Sequence, residues 1–333
     1  MEYQFKPAWW MTNRHVQTIL PRAYRLRQHM PVHMEKLATP DGDFLELAWA
    51  KPAKQEAPLV IVLHGLEGNI DSFYARGMME AAFKQGFDAV LMHFRNCSAE
   101  PNRMPRAYHS GETEDLGFLV DTLRRRFPDR CLYAVGFSLG GNVLTKYLGE
   151  QGKHCQLKGA SVVSAPFDLS SSCQVIRRSC FKLYQKYLLD KLKRSTARKL
   201  AQVAPVLQLD HKELMNINDL WQFDERVTAP LHGFNNAEDY YTKASGKPYL
   251  KKIAIPTLVI HAEDDPMLSE QAIPKIEDVS ESVRLAVSHR GGHVGFLSGY
   301  NPLKPVFWLE YAVPHFFTTL RQQSHYDHSV STT

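Results

Sequence analysis

Six short apolar runs constrain the fold of this chain more than any other feature of its sequence. They occupy residues 59–65, 88–94, 131–137, 157–163, 256–262 and 283–289. Strands that are covered on both faces have this composition, and such strands belong mainly to parallel sheets. Segments with helical periodicity separate the runs, as the crossovers of a parallel sheet require. The sequence therefore predicts an α/β fold with a mostly parallel central sheet and helices on both faces.

Two regions depart from this alternation. Residues 34–50 alternate around Asp41-Gly42, which predicts an antiparallel hairpin before the first apolar run. Between residues 167 and 250 the alternation stops, and a mixed segment that is too long for a plain loop separates two predicted strands. We interpret 167–250 as a helical lid inserted within a single domain that spans residues 1–333.

Composition and charge exclude several classes of protein. Hydrophobic residues make up 44% of the chain and charged residues 23%, which is typical of a globular protein. The formal charge of +5 is modest, so no nucleic-acid partner is expected. Five cysteines without a CxxC pair predict free thiols in a reducing compartment and no zinc site. Residues 1–15 lack the apolar core of a signal peptide, and no window suits a membrane span, so we expect a cytoplasmic protein.

The third apolar run leads directly into a serine motif. Gly136-Phe137-Ser138-Leu139-Gly140 fits the pattern G-x-S-x-G between a predicted strand and a predicted helix. Glycines flanking the serine permit the sharp turn that would expose its hydroxyl. A glycine-rich turn with an incidental serine is the alternative. Because serine is a weak nucleophile unless a base takes its proton, the interpretation requires a histidine and an acid later in the chain.

Candidates for both partners follow the last two apolar runs. His293 follows two glycines past the last run, and we favour it as the base over His289, which continues the strand pattern. Two carboxylates follow the preceding run. Of these we favour Asp265 as the partner of the histidine, and we expect Asp264 to cap the turn before Pro266. The order serine, acid, histidine is that of one known class of serine hydrolases.

A tetrahedral oxyanion intermediate also needs backbone donors. The amide of Leu139, which follows the serine, is one candidate. The amide of Leu66, in the loop His64-Gly65-Leu66-Glu67-Gly68 after the first apolar run, is the other. Both loops would lie at the carboxyl edge of neighbouring strands.

Four segments carry a resemblance to a known family. They are TNRHVQTILPR (12–22), FRNCSAEPNRMPRAYHSGETEDL (94–116), GFSLGGN (136–142) and FDERVTAPLHGFNNAEDYY (223–241). In these segments the chain resembles the α/β-hydrolase superfamily, and within it the YheT-like esterase branch, which is related to ABHD-type lipid hydrolases. The resemblance implies an α/β-hydrolase sheet under a helical lid and carboxylic ester hydrolysis. It also implies a catalytic triad of Ser138, Asp265 and His293.

These features predict a serine hydrolase that cleaves short- to medium-chain or lipid-like esters through an acyl-enzyme intermediate, without cofactor or metal. A thioesterase or an amidase would share the same machinery, because the fold does not determine the substrate. An inactive hydrolase fold that acts as a binding protein is an alternative from a different class.

Residues 177–199 are strongly basic, with nine lysines and arginines against the single acid Asp190. Apolar residues recur there at helical spacing, which predicts a basic amphipathic helix within the lid. We favour a helix that packs its apolar stripe on the body and leaves its basic face in solvent. A sharper hypothesis is that this face contacts anionic membrane lipids.

Overall fold

The structure, a computed structural model, describes residues 3–25, 30–50, 57–178 and 182–330, with side chains described as far as residue 323. Its main strands are β1 (Val32–Ala38), β2 (Phe44–Ala50), β3 (Leu59–Leu63), β4 (Asp88–Met92), β5 (Leu132–Phe137), β6 (Gly159–Val163), β7 (Thr257–Ala262) and β8 (Val283–Ser288). They form one sheet in the order β1-β2-β4-β3-β5-β6-β7-β8. The two-residue strands β9 (Leu297–Ser298) and β10 (Val306–Phe307) pair separately.

The apolar runs form the parallel part of this sheet. Each run contains one of β3 to β8, and all pairings among these six strands are parallel. Every residue of β3 to β7 is buried, which explains why these strands read as continuous apolar segments. The hairpin of β1 and β2 is antiparallel and joins the sheet through β4. The predicted mostly parallel sheet is therefore confirmed.

Helices cover both faces of the sheet. They are α1 (Arg14–Tyr24), α2 (Phe73–Lys84), α3 (Glu114–Arg126), α4 (Leu139–Gln151), α5 (Leu169–Arg178), α6 (Leu183–Arg198), α7 (Leu200–Leu207), α8 (His211–Met215), α9 (Leu220–Phe223), α10 (Ala229–Leu231), α11 (Ala237–Ala244) and α12 (Leu309–Val330). One core cluster joins α3 and α4 to one face, and a second joins α2 and α12 to the other. Within the described ranges, no helix is long and apolar enough to cross a bilayer.

Seven of these helices, α5 to α11, lie between β6 and β7, and we call them the inserted segment. They share an apolar cluster that is distinct from the two clusters of the sheet. The segment spans residues 169–244 and lies within the region 167–250 for which the sequence predicts an inserted lid.

The single basic helix predicted over residues 177–199 is wrong in its extent. Helix α5 ends at Arg178 and α6 begins at Leu183, while residues 179–181 lie outside the described chain. Lys182, just before α6, has φ +51°, a left-handed conformation that a continuous α-helix does not contain. The basic face is also only partly solvated, because Arg198 and the buried Lys199 donate hydrogen bonds to backbone carbonyls of the body.

Candidate active site

Ser138 occupies a strained turn between β5 and α4. The strand ends at Phe137 and the helix begins at Leu139, so one residue reverses the chain. Its backbone has φ +52° and ψ −120°, a combination that side-chain-bearing residues rarely adopt. A Cβ added to Gly136 would lie 2.4 Å from the carbonyl oxygen of Gly140. The glycines of the motif are therefore needed for close backbone approach.

We expect Gly140→Ala to destabilise the fold. Its Cβ would lie 2.4 Å from the carbonyl oxygen of His64 and 2.6 Å from that of Leu63, so the backbone would have to move. Overpacking of this kind lowers the free energy of unfolding by about 1–3 kcal/mol or more. Urea unfolding measures the change. The matched control is Gly117→Ala in α3, where the added methyl meets Tyr147 at an ordinary 3.6 Å and should be neutral or stabilising; equal losses in both variants would contradict the prediction.

The three side chains predicted to form a triad lie together in one chain of contacts. His293 Nε2 lies 3.0 Å from Ser138 Oγ, and His293 Nδ1 lies 2.7 Å from Asp265 Oδ2. The carboxyl of Asp265 is almost completely buried, and its other oxygen accepts the amide of Met267. With the imidazole proton on Nδ1, Nε2 is free to accept the serine proton. This geometry suits general-base activation of an alcohol.

Side-chain oxygens hold four consecutive amides of the loop between β8 and β9 (residues 289–296), which we call the histidine loop. Asp264 accepts hydrogen bonds from Gly291 and Gly292, both at 2.9 Å. The amide of His293 donates to Thr18 Oγ1 at 2.9 Å. The next amide, of Val294, donates to Ser164 Oγ at 3.1 Å. These contacts fix the backbone from which the imidazole projects.

Two sequence-based expectations about neighbouring residues need correction. Asp264 does not cap the turn before Pro266, because its carboxylate instead accepts two amides of the histidine loop. The turn is capped by Asp265 itself, through its second oxygen. His289 does not continue β8: the strand ends at Ser288, and the exposed His289 ring contacts Glu263.

The two predicted oxyanion donors lie on either side of the serine. Leu139 follows it in the chain, and the loop that contains Leu66 lies against it, since a Cβ on Gly65 would come within 3.2 Å of Ser138 Cβ. Neither the Leu66 nor the Leu139 amide has a protein acceptor among the residues that the structure describes. Both are thus available to an oxygen of a bound substrate.

A cavity of about 750 Å³ opens beside Ser138 and His293. The inserted segment lines much of it with apolar side chains, among them Leu169, Ile176, Leu188, Leu192, Phe223 and Leu231. Ligand sites commonly combine such an apolar wall with a few polar groups at one end. The cavity therefore suits a ligand with an apolar chain and one reactive polar group.

One cluster in the described chain resembles a metal site in composition. Ligand atoms of His109, Glu112 and His232 all lie within 4.8 Å of one another, and burial lowers the pKa of both histidines to about 3. However, Arg106 donates to Glu112 at 2.7 Å, and Nδ1 of His109 accepts the amide of Gly111. The second contact places the histidine proton on Nε2, the nitrogen nearest the carboxylate. The donor set is therefore poorly suited to a cation.

Three residues that support the histidine loop carried no site prediction. Gln17 is fully buried and pairs its amide with both backbone groups of Leu297, while Thr18 and Ser164 accept loop amides. Gln17 and Thr18 belong to α1, and their contacts span 280 and 275 positions of the sequence. Only the resemblance of TNRHVQTILPR marked this helix, and no motif identified Ser164.

Comparisons with known proteins agree with this architecture. Residues 58–300 match the family model described as the alpha/beta hydrolase fold. YheT of Escherichia coli (strain K12), which is named as an esterase, is 44% identical over 318 residues, covering 95% of this chain and 93% of that protein. A monoacylglycerol lipase of Saccharomyces cerevisiae is 34% identical over 246 residues, covering 72% of this chain and 55% of that protein.

Among solved structures, an esterase of Pyrococcus furiosus matches with a TM-score of 0.54 at 15% identity, covering 87% of this chain and 93% of that one. At this identity the similarity concerns the fold alone. The comparisons confirm the fold class and the family resemblance predicted from the sequence.

Proposed function

This chain belongs to the α/β-hydrolase family, and from that premise we propose that it is a serine hydrolase of carboxylic esters. One observation carries the proposal: Ser138 Oγ, His293 and Asp265 are linked by contacts of 3.0 and 2.7 Å at the wall of a largely apolar cavity. The esterase and lipase names of its relatives support the same class of substrate.

The proposed reaction proceeds through two tetrahedral intermediates. His293 Nε2 takes the proton of Ser138 as Oγ attacks the ester carbonyl, and the carboxylate of Asp265 stabilises the resulting imidazolium. The amides of Leu66 and Leu139 bind the oxyanion. The intermediate collapses when the imidazolium returns its proton to the leaving alcohol. Water, deprotonated by His293, then attacks the acyl-enzyme, and the carboxylic acid leaves as Ser138 regains its proton.

For the substrate we propose short- to medium-chain or lipid-like acyl esters. The apolar wall supplied by the inserted segment would accommodate an acyl chain, and we propose that this segment acts as a lid over the site. The monoacylglycerol lipase among its relatives agrees with an ester of this kind. Thioesters and amides could use the same groups, so leaving-group chemistry must be measured directly.

A series of 4-nitrophenyl esters of increasing acyl length, assayed with the purified protein beside matched thioesters and anilides, tests this proposal. We expect turnover of esters, and the acyl length that is hydrolysed fastest should reflect the depth of the cavity. A fluorophosphonate probe should label Ser138. Absence of both turnover and labelling would contradict the proposal and favour an inactive binding protein.

We also propose that the protein contacts anionic membranes. We place this contact at the mouth of the cavity rather than on the basic face of residues 177–199. There α1 and α6 lie side by side, because Nδ1 of His15 is 3.0 Å from the Tyr184 hydroxyl and Arg22 donates to the Tyr187 hydroxyl at 3.2 Å.

Three side chains that line the cavity are substantially exposed at this rim: Ile19 (58%), Leu183 (61%) and Tyr187 (47%). The exposed basic residues of these helices include Arg14, Arg22 and Lys186. Apolar and basic groups at one entrance suit an anionic lipid surface.

The double variant Ile19→Asp/Leu183→Asp should weaken binding to phosphatidylglycerol-containing vesicles by about tenfold or more, because two apolar contacts are replaced by like charges. Vesicle flotation at low salt measures the effect. Ile276→Asp is the matched control, since this residue is 76% exposed but does not line the cavity. Equal binding to neutral and anionic vesicles by the unaltered protein would refute membrane contact through charge.

A further inference from the structure

Three consecutive amides of the loop after β3 differ in their partners. The amide of Gly65 donates to the Tyr74 hydroxyl, and the amide of Glu67 donates to the Tyr108 hydroxyl, each at 2.8 Å. The amide of Leu66 lies between them and has no protein acceptor in the described part of the chain. The two flanking donors are therefore occupied, and the middle donor, which we propose binds the oxyanion, is open.

Ring packing fixes the positions of both hydroxyls. Tyr108 stacks on Phe94 with ring centroids 5.2 Å apart, and Tyr74 packs against Phe137 at 4.7 Å. Burial raises the pKa of both phenols, so they stay protonated and can accept an amide hydrogen. Tyr108 donates its own proton to the Glu67 carboxyl at 3.0 Å. One hydroxyl thus bridges the backbone and the side chain of the same residue.

The backbone of this loop is strained where it is held. Glu67 has φ +50°, a left-handed conformation that residues other than glycine rarely adopt. Lys191 of α6 donates to the Glu67 carbonyl oxygen at 3.2 Å, so the inserted segment also holds the loop. The amide of Gly68 closes the turn by donating to the Gly65 carbonyl. Without these contacts the peptide planes on either side of Leu66 could rotate.

We propose that Tyr74 and Tyr108 are positioning residues that aim the Leu66 amide at the oxyanion by holding the amides on either side of it. The inference rests on the proposed esterase function and adds two residues to its machinery. The hydroxyls act through the backbone, and neither needs to touch the substrate. A correctly aimed amide stabilises the transition state more than the bound ester. Removing either hydroxyl should therefore lower kcat rather than raise KM.

Tyr74→Phe and Tyr108→Phe test this inference because each variant keeps the ring and removes only the hydroxyl. Removal of a complete oxyanion donor costs about 10²–10³ in kcat, so misalignment should cost about 10- to 100-fold with KM nearly unchanged. Phenylboronic acid provides a second measurement, since its adduct with Ser138 places an oxygen where the oxyanion forms. Its inhibition constant should rise by a similar factor.

Tyr147→Phe is the matched control, because this buried tyrosine of α4 contacts neither loop amide. It should leave kcat and the inhibition constant unchanged. If one variant fails to fold, the other still decides the question. Unchanged kcat in the folded variants, or a rise in KM alone, would overturn the inference.

Failure of this inference differs from failure of the proposed function. If the unaltered protein hydrolyses esters normally and the tyrosine variants match it, only the positioning role is overturned. If the unaltered protein neither hydrolyses esters nor reacts with a fluorophosphonate, the proposed function and the inference are both overturned.

Discussion

Replacing Ser138 with alanine should lower kcat for ester hydrolysis by a factor on the order of 10⁵, while the protein remains folded. The hydroxyl is the proposed nucleophile, and the substitution removes it together with its 3.0 Å contact to His293 Nε2. Some rate enhancement should persist, because the open amides and the cavity would still bind and polarise the ester. Steady-state kinetics with a 4-nitrophenyl ester, together with a thermal unfolding curve, measure both parts of the prediction.

Ser161→Ala is the matched control for this variant. Ser161 is a fully buried serine of β6, and its hydroxyl donates to the carbonyl oxygen of Leu258 rather than to a histidine. Its activity per folded molecule should equal that of the unaltered protein, and fluorophosphonate labelling should persist. Retention of ester turnover by folded Ser138→Ala would disprove the serine mechanism.

The second large effect is expected from Asp265→Asn, which should lower kcat by about 10⁴-fold. The buried carboxylate accepts the Nδ1 proton of His293 at 2.7 Å. An asparagine at this position can donate its own N–H to Nδ1, which favours the wrong tautomer and leaves Nε2 protonated. The base would then be unable to accept the serine proton. Comparison of kcat and KM should place nearly all of the loss in kcat.

Asp264→Asn is the matched comparison for Asp265→Asn, because it makes the same substitution at the neighbouring acid. Asp264 accepts two backbone amides, and an amide oxygen can still accept both, so we expect a loss of about tenfold or less. The pair resolves the choice between neighbouring acids that the sequence leaves open. A larger loss at Asp264 than at Asp265 would assign the acid to Asp264.

Features that depend on neighbours in sequence were predicted well. The apolar runs that became β3 to β7 could be read directly, because burial on both faces selects apolar residues at consecutive positions. The turn around Ser138 could also be read, since a Cβ on Gly136 would crowd the backbone of nearby Gly140, whereas the crowding at Gly140 comes from the distant carbonyls of Leu63 and His64. The single helix over 177–199 failed for the opposite reason: apolar periodicity does not reveal that Lys182 adopts a left-handed conformation.

The sequence alone determined a parallel sheet and a serine at the carboxyl end of one of its strands, because both leave a local pattern of residue types. The tertiary structure alone decided how the site is held together. Thr18 reaches an amide 275 positions away, and Tyr108 reaches one 41 positions away. Such contacts depend on how distant segments pack, and a single polar side chain that makes one of them leaves no periodic signature along the chain.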